Sequence, residues 1–498
     1  MSAYFMMAAV MIPFFGGALL MLKPFANDKV RNIVTECLMI VTTVIVFFLI
    51  FTNTGNSVVL FKFTRNLQIS LRLDQTGSIF AGMVAFLWPL ATLYSFEYME
   101  HEERRRFFFA LYTMTYGVTL GIAMSENILT MYFFYEMLTM VTIPLVGHTL
   151  TKEAVKAART YMVYSIGGAA FAFIGMIFAL VYGTTADFVP GGVFNISELG
   201  SGMINALLIV YVLCFCGFSV KAAMFPFSSW LPTAGVAPTP VTALLHAVAV
   251  VKAGAFATLR VTYFIFGWDL LKGTWAQQVL LCLAIFTVVY GCSRALKETH
   301  FKRRLAWSTV SNLSYILFGV LLMSPAGLTG ALLHMLCHAV MKICSFFCAG
   351  AIIEKTGKHF IHEYDGMGRK MPFVFTVFTI SGLALMGVPG LSGFVSKWYL
   401  AKAGLYSGSI LGKIGVGAIL VSAILTAIYM MTVSIRGFYP NKDFTLSSNL
   451  SEIKDPGWKM KLPLCIFVIL MFVFGLRPAL LENLVDWAVQ SVFFTQLI

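Results

Sequence analysis

Glu136, Lys221, Lys252, Lys342 and Lys397 each lie inside a stretch that is otherwise apolar. An ionisable group at the bilayer centre costs about 2.5–3.5 kcal/mol on insertion scales. Ammonium and carboxylate groups kept at that cost are suited to one kind of chemistry. They take up a proton or ion on one side, hold it, and pass it on. His246, His334 and His338 lie in the same stretches and extend the set.

Glu136 sits in LTMYFFYEMLTMVTIPL, with no other charge between Asn127 and His148. Its reading is a partner that sets how firmly a lysine holds its proton. The competing reading is a carboxyl hydrogen-bonded to a neighbouring helix. Lys221 is the candidate partner. Opposite charges 4 Å apart attract by about 4 kcal/mol at an effective dielectric of 20, and by about 1.7 kcal/mol at 10 Å. A modest change of separation therefore changes the hold on the proton appreciably. The alternative for Lys221 is an ammonium that snorkels from a helix end.

Lys252 follows His246 by six residues in TPVTALLHAVAVVKAGAFATLR. On a regular helix that is about 240° of rotation and about 9 Å of rise, which suits successive stations linked by water rather than one shared face. His246 also reads as a hydrogen-bonded structural histidine. His334, His338 and Lys342 follow one another at intervals of four and predict a single polar stripe on an apolar helix. H-x3-H is a metal spacing too. No carboxylate or matching cysteine accompanies it, and a lysine one turn on would repel a cation. A proton path is the preferred reading. Lys397 reads either as an exit site or as a snorkelling residue at a helix end, beside Trp398 and Tyr399 in an interfacial belt.

The elements that must position these groups are membrane helices. The chain is 59% hydrophobic and 11% charged, where soluble domains run near 25% charged. Apolar runs of spanning length recur throughout and predict fourteen transmembrane helices. The fold class is an all-α polytopic membrane protein with no second folded domain. Residues 1–106 hold helices 1–3. Residues 107–266 and 275–438 hold five helices each. Residues 439–498 hold a cytoplasmic loop, a last span and an amphipathic tail along the surface.

Two runs are too long and are interrupted. Residues 207–232 carry Lys221, Pro226 and Pro232; residues 380–400 carry Pro389, Gly390 and Lys397. Proline removes a backbone donor and clashes with the preceding turn. In lipid the freed carbonyls need protein or water partners, so each break predicts a lined or wet cavity. The alternative is a proline that only kinks a structural helix. The breaks fall in the seventh and twelfth runs. A unit of five helices begins its second copy from the opposite face, which predicts two inverted repeats.

The net charge of +13 is spread as a topology signal, not as a nucleic-acid footprint. Basic residues gather in odd-numbered loops: Lys23, Lys29 and Arg31; Arg104 to Arg106; Lys152, Lys156 and Arg159; Arg294 to Arg304; Lys355 to Lys370; and Arg436 to Lys461. Even-numbered loops carry mainly Lys62, Arg65 and Arg72. The positive-inside rule then puts odd loops in the cytoplasm and both termini outside the cell membrane. Met1 to Leu22 reads as a first membrane helix rather than a signal peptide, because no basic residue precedes it. The loop from Arg294 to Arg304 is expected to contact lipid headgroups. The nine cysteines lack C-x2-C spacing, and no Walker or dinucleotide-binding motif is present. No cofactor, metal or nucleotide is expected in the chain, and the energy would come from a gradient or a partner.

KAAMFPFSSWLPTAGVAPTPVTALLHAVAVVKAG at 221–254, YEMLT around Glu136, the H-x3-H-x3-K stripe and GLSGFVSK around Lys397 together resemble the proton-translocating antiporter-like subunits. This superfamily covers the large membrane subunits of respiratory complex I, the Mrp-type sodium/proton antiporters, and the membrane subunits of energy-converting hydrogenases and formate hydrogenlyases. The resemblance runs from about residue 70 to 440. It implies fourteen helices in two inverted five-helix units, a Glu136/Lys221 pair, a central Lys252, and a path through Lys342 to Lys397. It implies partners as well: other membrane subunits and a redox-active peripheral arm holding Fe–S, flavin or Ni–Fe centres. Thr233 stands where relatives often carry an acidic residue, and the long lateral helix of the largest complex I member is missing. The expected function is a proton- or sodium-translocating subunit of a redox-driven complex such as a membrane-bound hydrogenase or a complex I-like NADH dehydrogenase. The alternative is a subunit of an Mrp-type antiporter. A stand-alone solute carrier of twelve helices does not match the count.

Overall fold

The computed structural model describes residues 2–22, 25, 27–52, 55–64, 67–440 and 453–494. Lys23, Arg65, loop residues 441–452 and the last four residues of the tail lie outside the described residues. Helices α1 (Ser2–Leu22), α2 (Asp28–Thr52) and α3 (Gln75–Tyr98) are followed by α4 (Arg105–Ala123), α5 (Ile128–Val146), α6 (Lys152–Tyr182) and α7 (Ser201–Ser219). Short α8 (Trp230–Thr233) and α9 (Thr239–Ala243) lead to α10 (Val250–Arg260) and α11 (Trp268–Leu271). Then come α12 (Trp275–Lys297), α13 (Phe301–Leu321), α14 (Pro325–Thr356), α15 (Pro372–Met386), α16 (Ser392–Tyr406), α17 (Ile410–Phe438), α18 (Trp458–Leu476) and α19 (Ala479–Phe493).

Helices dominate because a chain in hydrocarbon must satisfy its own backbone. Their starts are written locally. Asp74 accepts from the Gly77 amide at 2.8 Å, Asn127 from Thr130 at 2.8 Å and Ser324 from Gly327 at 3.2 Å, each answering an amide that the first turn leaves free. Among the described residues, eleven helices are long and apolar enough to cross a membrane. Helices α4 and α13 have the length but are more polar, carrying Thr113, Thr115 and Thr119 in one and Ser308, Thr309, Ser311, Asn312 and Ser314 in the other. Each half of the α15/α16 pair is too short by itself. Fourteen spans thus remain an expectation.

Two elements are buried along their whole apolar windows: the segment Thr239–Phe266 and helix α14. Helix α14 packs against α13, α15, α16, α18, α19, α9 and α3. The helix bearing His334, His338 and Lys342 is therefore the axis of the bundle. An outer helix such as α2 or α18 buries only 28% of its window.

Two features depart from the sequence reading. An antiparallel hairpin, β1 (Ser57–Lys62) with β2 (Gln68–Arg72), follows α2. The Ser70 and Arg72 amides anchor it to Thr130 Oγ1 and the Met124 carbonyl, at 3.0 and 2.8 Å. The tail helix α19 does not simply lie on the lipid surface. Leu481, Val485 and Val492 are buried, α19 packs on α3 and α14, and Phe493 meets Trp268 with ring centroids 4.7 Å apart. An amphipathic face serves bundle and membrane equally well, so its pattern did not distinguish them.

Both long runs are interrupted. Helix α7 ends at Ser219, and Lys221 lies in a non-helical stretch that includes Ala223 at φ 55° and the cis Phe225–Pro226 bond before α8 begins. Pro232 lies inside α8. Helix α15 ends at Met386 with Gly387, φ 95°, as its cap, and Pro389 and Gly390, φ 87°, precede α16. A third interruption corrects the regular-helix geometry used for His246 and Lys252. Residues Leu244–Val248 form a π-helical turn, and Ala249 lies at φ −96°, ψ −81° before α10 starts. The wider turn changes the rotation between the two side chains.

At the second break the two half-helices nearly touch. A Cβ on Gly393 would fall 1.8 Å from the Ala384 carbonyl oxygen, so only glycine lets them pass. Gly393→Val is expected to prevent accumulation of folded protein, seen as loss of the monodisperse peak in detergent size-exclusion chromatography; a wild-type peak would contradict this packing.

Candidate functional site

Lys221, Lys252 and Lys342 are fully buried, Lys397 is 7% exposed, and His246, His334 and His338 are fully buried. Lys397 therefore does not snorkel. Among the described residues none of the four ammoniums has a carboxylate within 4.0 Å. They rest mainly on backbone carbonyls instead.

Lys221 donates to the Tyr135 carbonyl, and its Nζ lies 3.3 Å from the centre of the Tyr135 ring. The expected contact pair with Glu136 is not formed. The neighbouring residue on α5 takes the ammonium through its carbonyl and its π face, and Glu136 interacts with Lys221 only at longer range. Glu136 is half-buried, and its Oε1 has no hydrogen-bond partner. It lies on the α5 face that carries Phe133, 43% exposed, and Met140, 71% exposed.

Lys252 on α10 meets His338 on α14, Nζ to Nδ1 at 2.5 Å. The His338 and His334 rings follow at 5.7 Å between centroids. His334 Nδ1 then lies 3.0 Å from Ser396 Oγ on α16, the residue next to Lys397. The two histidines thus lie between Lys252 and the second break, with no hydrogen bond between their rings and both Nε2 atoms unpartnered. His246 stands aside. Its ring lies 4.8 Å from that of Phe346, and neither nitrogen has a partner.

Lys342 leaves the stripe. It donates to the Leu305 carbonyl at 3.0 Å and to Ser308 Oγ at 2.8 Å, both on α13. Lys397 donates to the Leu385 and Met386 carbonyls at 2.7 and 3.2 Å. These are the last carbonyls of α15, which the break leaves without amide donors. The cation also lies at the negative end of that half-helix. Among the described residues no group of three or more His, Cys, Asp or Glu side chains gathers.

Sequence reasoning missed Tyr135, Ser308, Ser396 and Tyr315, the last having its ring centre 5.3 Å from Lys397 Nζ. The Ser-rich run on α13 was the available signal. The basic loop expected at the headgroups is partly internal. Lys302 is buried and donates to the Ala237 carbonyl at 2.7 Å, and Arg304 to those of Glu298 and Tyr429 at 2.8 and 3.0 Å. Arg260 forms a buried pair with Asp74 at 2.5 Å.

Replacing Lys397 by methionine leaves two carbonyls unanswered at the break. The expected cost is about 1–3 kcal/mol, read as a lower thermal midpoint in detergent. Lys397→Arg, which keeps the donors, should lose less; equal losses would remove the capping role.

Comparison with known proteins follows the same outline. A Na(+)/H(+) antiporter subunit of Bacillus subtilis (strain 168) is 26% identical over 495 residues, covering 98% of this chain and 97% of the relative. The NAD(P)H-quinone oxidoreductase chain 4 3 of a Picosynechococcus species is 28% identical over 461 residues, covering 86% and 81%. In the solved structure of the membrane-bound sulfane sulfur reductase, an archaeal respiratory membrane complex, one chain superposes with a TM-score of 0.84 at 22% identity, covering 99% of this chain and 97% of that one. Residues 63–109 match the family model described as NADH-Ubiquinone oxidoreductase (complex I), chain 5 N-terminus. Residues 125–426, more than half of the chain, match the model described as NADH:quinone oxidoreductase/Mrp antiporter, TM, and the chain belongs to that family.

Proposed function

We propose that this chain is a proton- or sodium-translocating subunit of a larger membrane complex driven by redox chemistry. One observation carries the reading: the 2.5 Å contact between Lys252 and His338. It joins α10, beyond the first break, to the axial helix α14 at a site closed to lipid and solvent. An ionisable group kept at membrane depth is costly and is a functional-site candidate by default. This one meets a group that can itself take up the proton. Protons enter from the cytoplasmic side, pass Lys221, Lys252 and Lys342, and leave near Lys397. Glu136 tunes Lys221 from α5, and its exposed face meets a neighbouring membrane subunit. The two breaks belong to two inverted five-helix units. Odd-numbered loops face the cytoplasm and both termini face out.

In this reading Fe–S, flavin or Ni–Fe centres belong to partner chains. Full-length similarity to a chain of a respiratory membrane complex supports it. The second reading, a subunit of an Mrp-type antiporter without a redox partner, is supported by full-length similarity to the Na(+)/H(+) antiporter protein of Bacillus subtilis. Chains that co-purify decide between them. Redox-protein subunits favour the first reading, and small membrane subunits alone favour the second.

In membrane vesicles holding the whole complex, Lys252→Ala is expected to abolish coupled ion movement, measured with a fluorescent gradient probe. In the redox reading, electron transfer to an artificial acceptor persists. Ion movement at the wild-type rate would overturn the assignment.

A further inference from the structure

Helices α2, α3, α14, α18 and α19 leave between them a cavity of about 310 Å3. Its wall is hydrocarbon apart from one hydroxyl, Ser78, which already donates to the Asp74 carbonyl at 2.7 Å. The cavity lies at the end of α2, the end of α18 and the start of α3, and so within one leaflet, on the side of the hairpin. Phe51 and Phe86 stand exposed on its wall, and α2 and α18 are among the least buried helices of the bundle. The cavity reaches the axial helix. Leu336 and Val340, one turn apart on α14, border it and keep 8% and 5% of their surface free. Each lies two residues from His338, about 200° around the helix. The cavity therefore runs along the back of the stripe that carries His334 and His338.

The wall selects its occupant. Water gains nothing from apolar side chains, and such cavities stay dry. A helix from a neighbouring subunit is too large, because one turn about 10 Å across and 5.4 Å long takes about 420 Å3. A single hydrocarbon chain fits, and it restores the dispersion contacts that an empty void forfeits. A polar cavity of about 540 Å3 lies at the same end, bordered by Gly55, Arg72, Asp74 and Gln75. Gln75 is one helical turn from Ser78. Asp74 is held there by Arg260. Arg72 donates to the Phe188 carbonyl at 3.3 Å, stands 3.8 Å from Glu126, and keeps 34% of its side chain exposed. A guanidinium in that position suits a phosphate.

We propose that these two cavities form a phospholipid site. One acyl chain fills the apolar cavity against Leu336 and Val340, and the headgroup phosphate lies at Arg72. The chain supplies the back of α14 with the packing that its protein neighbours leave out. The site goes beyond the translocation reading and does not depend on it.

The test uses the intact complex in vesicles of phosphatidylcholine and phosphatidylglycerol. A trace phospholipid carries a photoactivatable diazirine in its acyl chain, and labelled residues are located by mass spectrometry. Label is expected on α14 at Leu336 or Val340, which bulk lipid does not reach, as well as on Val44 and Phe48 of the outer face of α2. Gly82→Leu and Leu484→Phe each place a larger side chain in the cavity. Both should lower the α14 label at least about fivefold and leave the α2 label unchanged. Gly82→Ala should keep most of it. Arg72→Gln should lower the α14 label as well; an unchanged label would overturn the headgroup contact. An unlabelled α14 in the wild-type complex, as when a neighbouring subunit's side chains plug the cavity, would overturn the site. Equal α14 labelling in the wild type and both filled variants would do the same.

Discussion

Hydrocarbon offers no water to an ammonium, so every buried lysine in this chain must be answered from within the protein. The rest of the architecture follows from how that is done. Tyr135, Leu305, Leu385, Met386 and Ala237 lend backbone carbonyls to Lys221, Lys342, Lys397 and Lys302. A carbonyl stabilises a positive charge without cancelling it. A carboxylate in contact would hold the proton by several kcal/mol more. Resting lysines on dipoles answers their donors without a carboxylate's hold on the proton.

Tyr135 and Leu305 lend their carbonyls from inside α5 and α13, whereas Lys397 draws on a break. Carbonyls within a regular helix are already engaged by amides four residues on. At the end of α15 they are not, and Lys397 takes two of them. At the end of α7 the chain leaves the helix so that Lys221 can reach across to α5. Around His246 the helix widens into a π turn instead. Packing holds these irregularities in place. Gly393 admits the Ala384 carbonyl, and the ion pair of Arg260 with Asp74 ties the end of α10 to the start of α3.

Much of this was legible in the sequence. Glu136, the lysines and the histidines stand out because charge is rare in apolar runs. The prolines and glycines at 226, 232, 389 and 390 mark broken runs because their backbone chemistry is local. What was not legible depends on neighbours distant in sequence. Intervals of four put His334, His338 and Lys342 on one stripe, yet α13 draws Lys342 away from it. Charge arithmetic paired Glu136 with Lys221, yet the carbonyl and ring of Tyr135 reach the ammonium first. The π turn left no trace in residue type, so the His246–Lys252 geometry drawn for a regular helix did not hold. The hairpin at 57–72 was hidden in a short stretch read only as a loop.

The cap on α15 has one more consequence. An ammonium carries three N–H donors, and the neutral amine left after proton loss still carries two. Leu385 and Met386 therefore keep their partners through both halves of a charge cycle. The nitrogen's freed lone pair points elsewhere, ready to be refilled. On the proposed path, the break at 387–391 would therefore keep its shape whether Lys397 is charged or neutral.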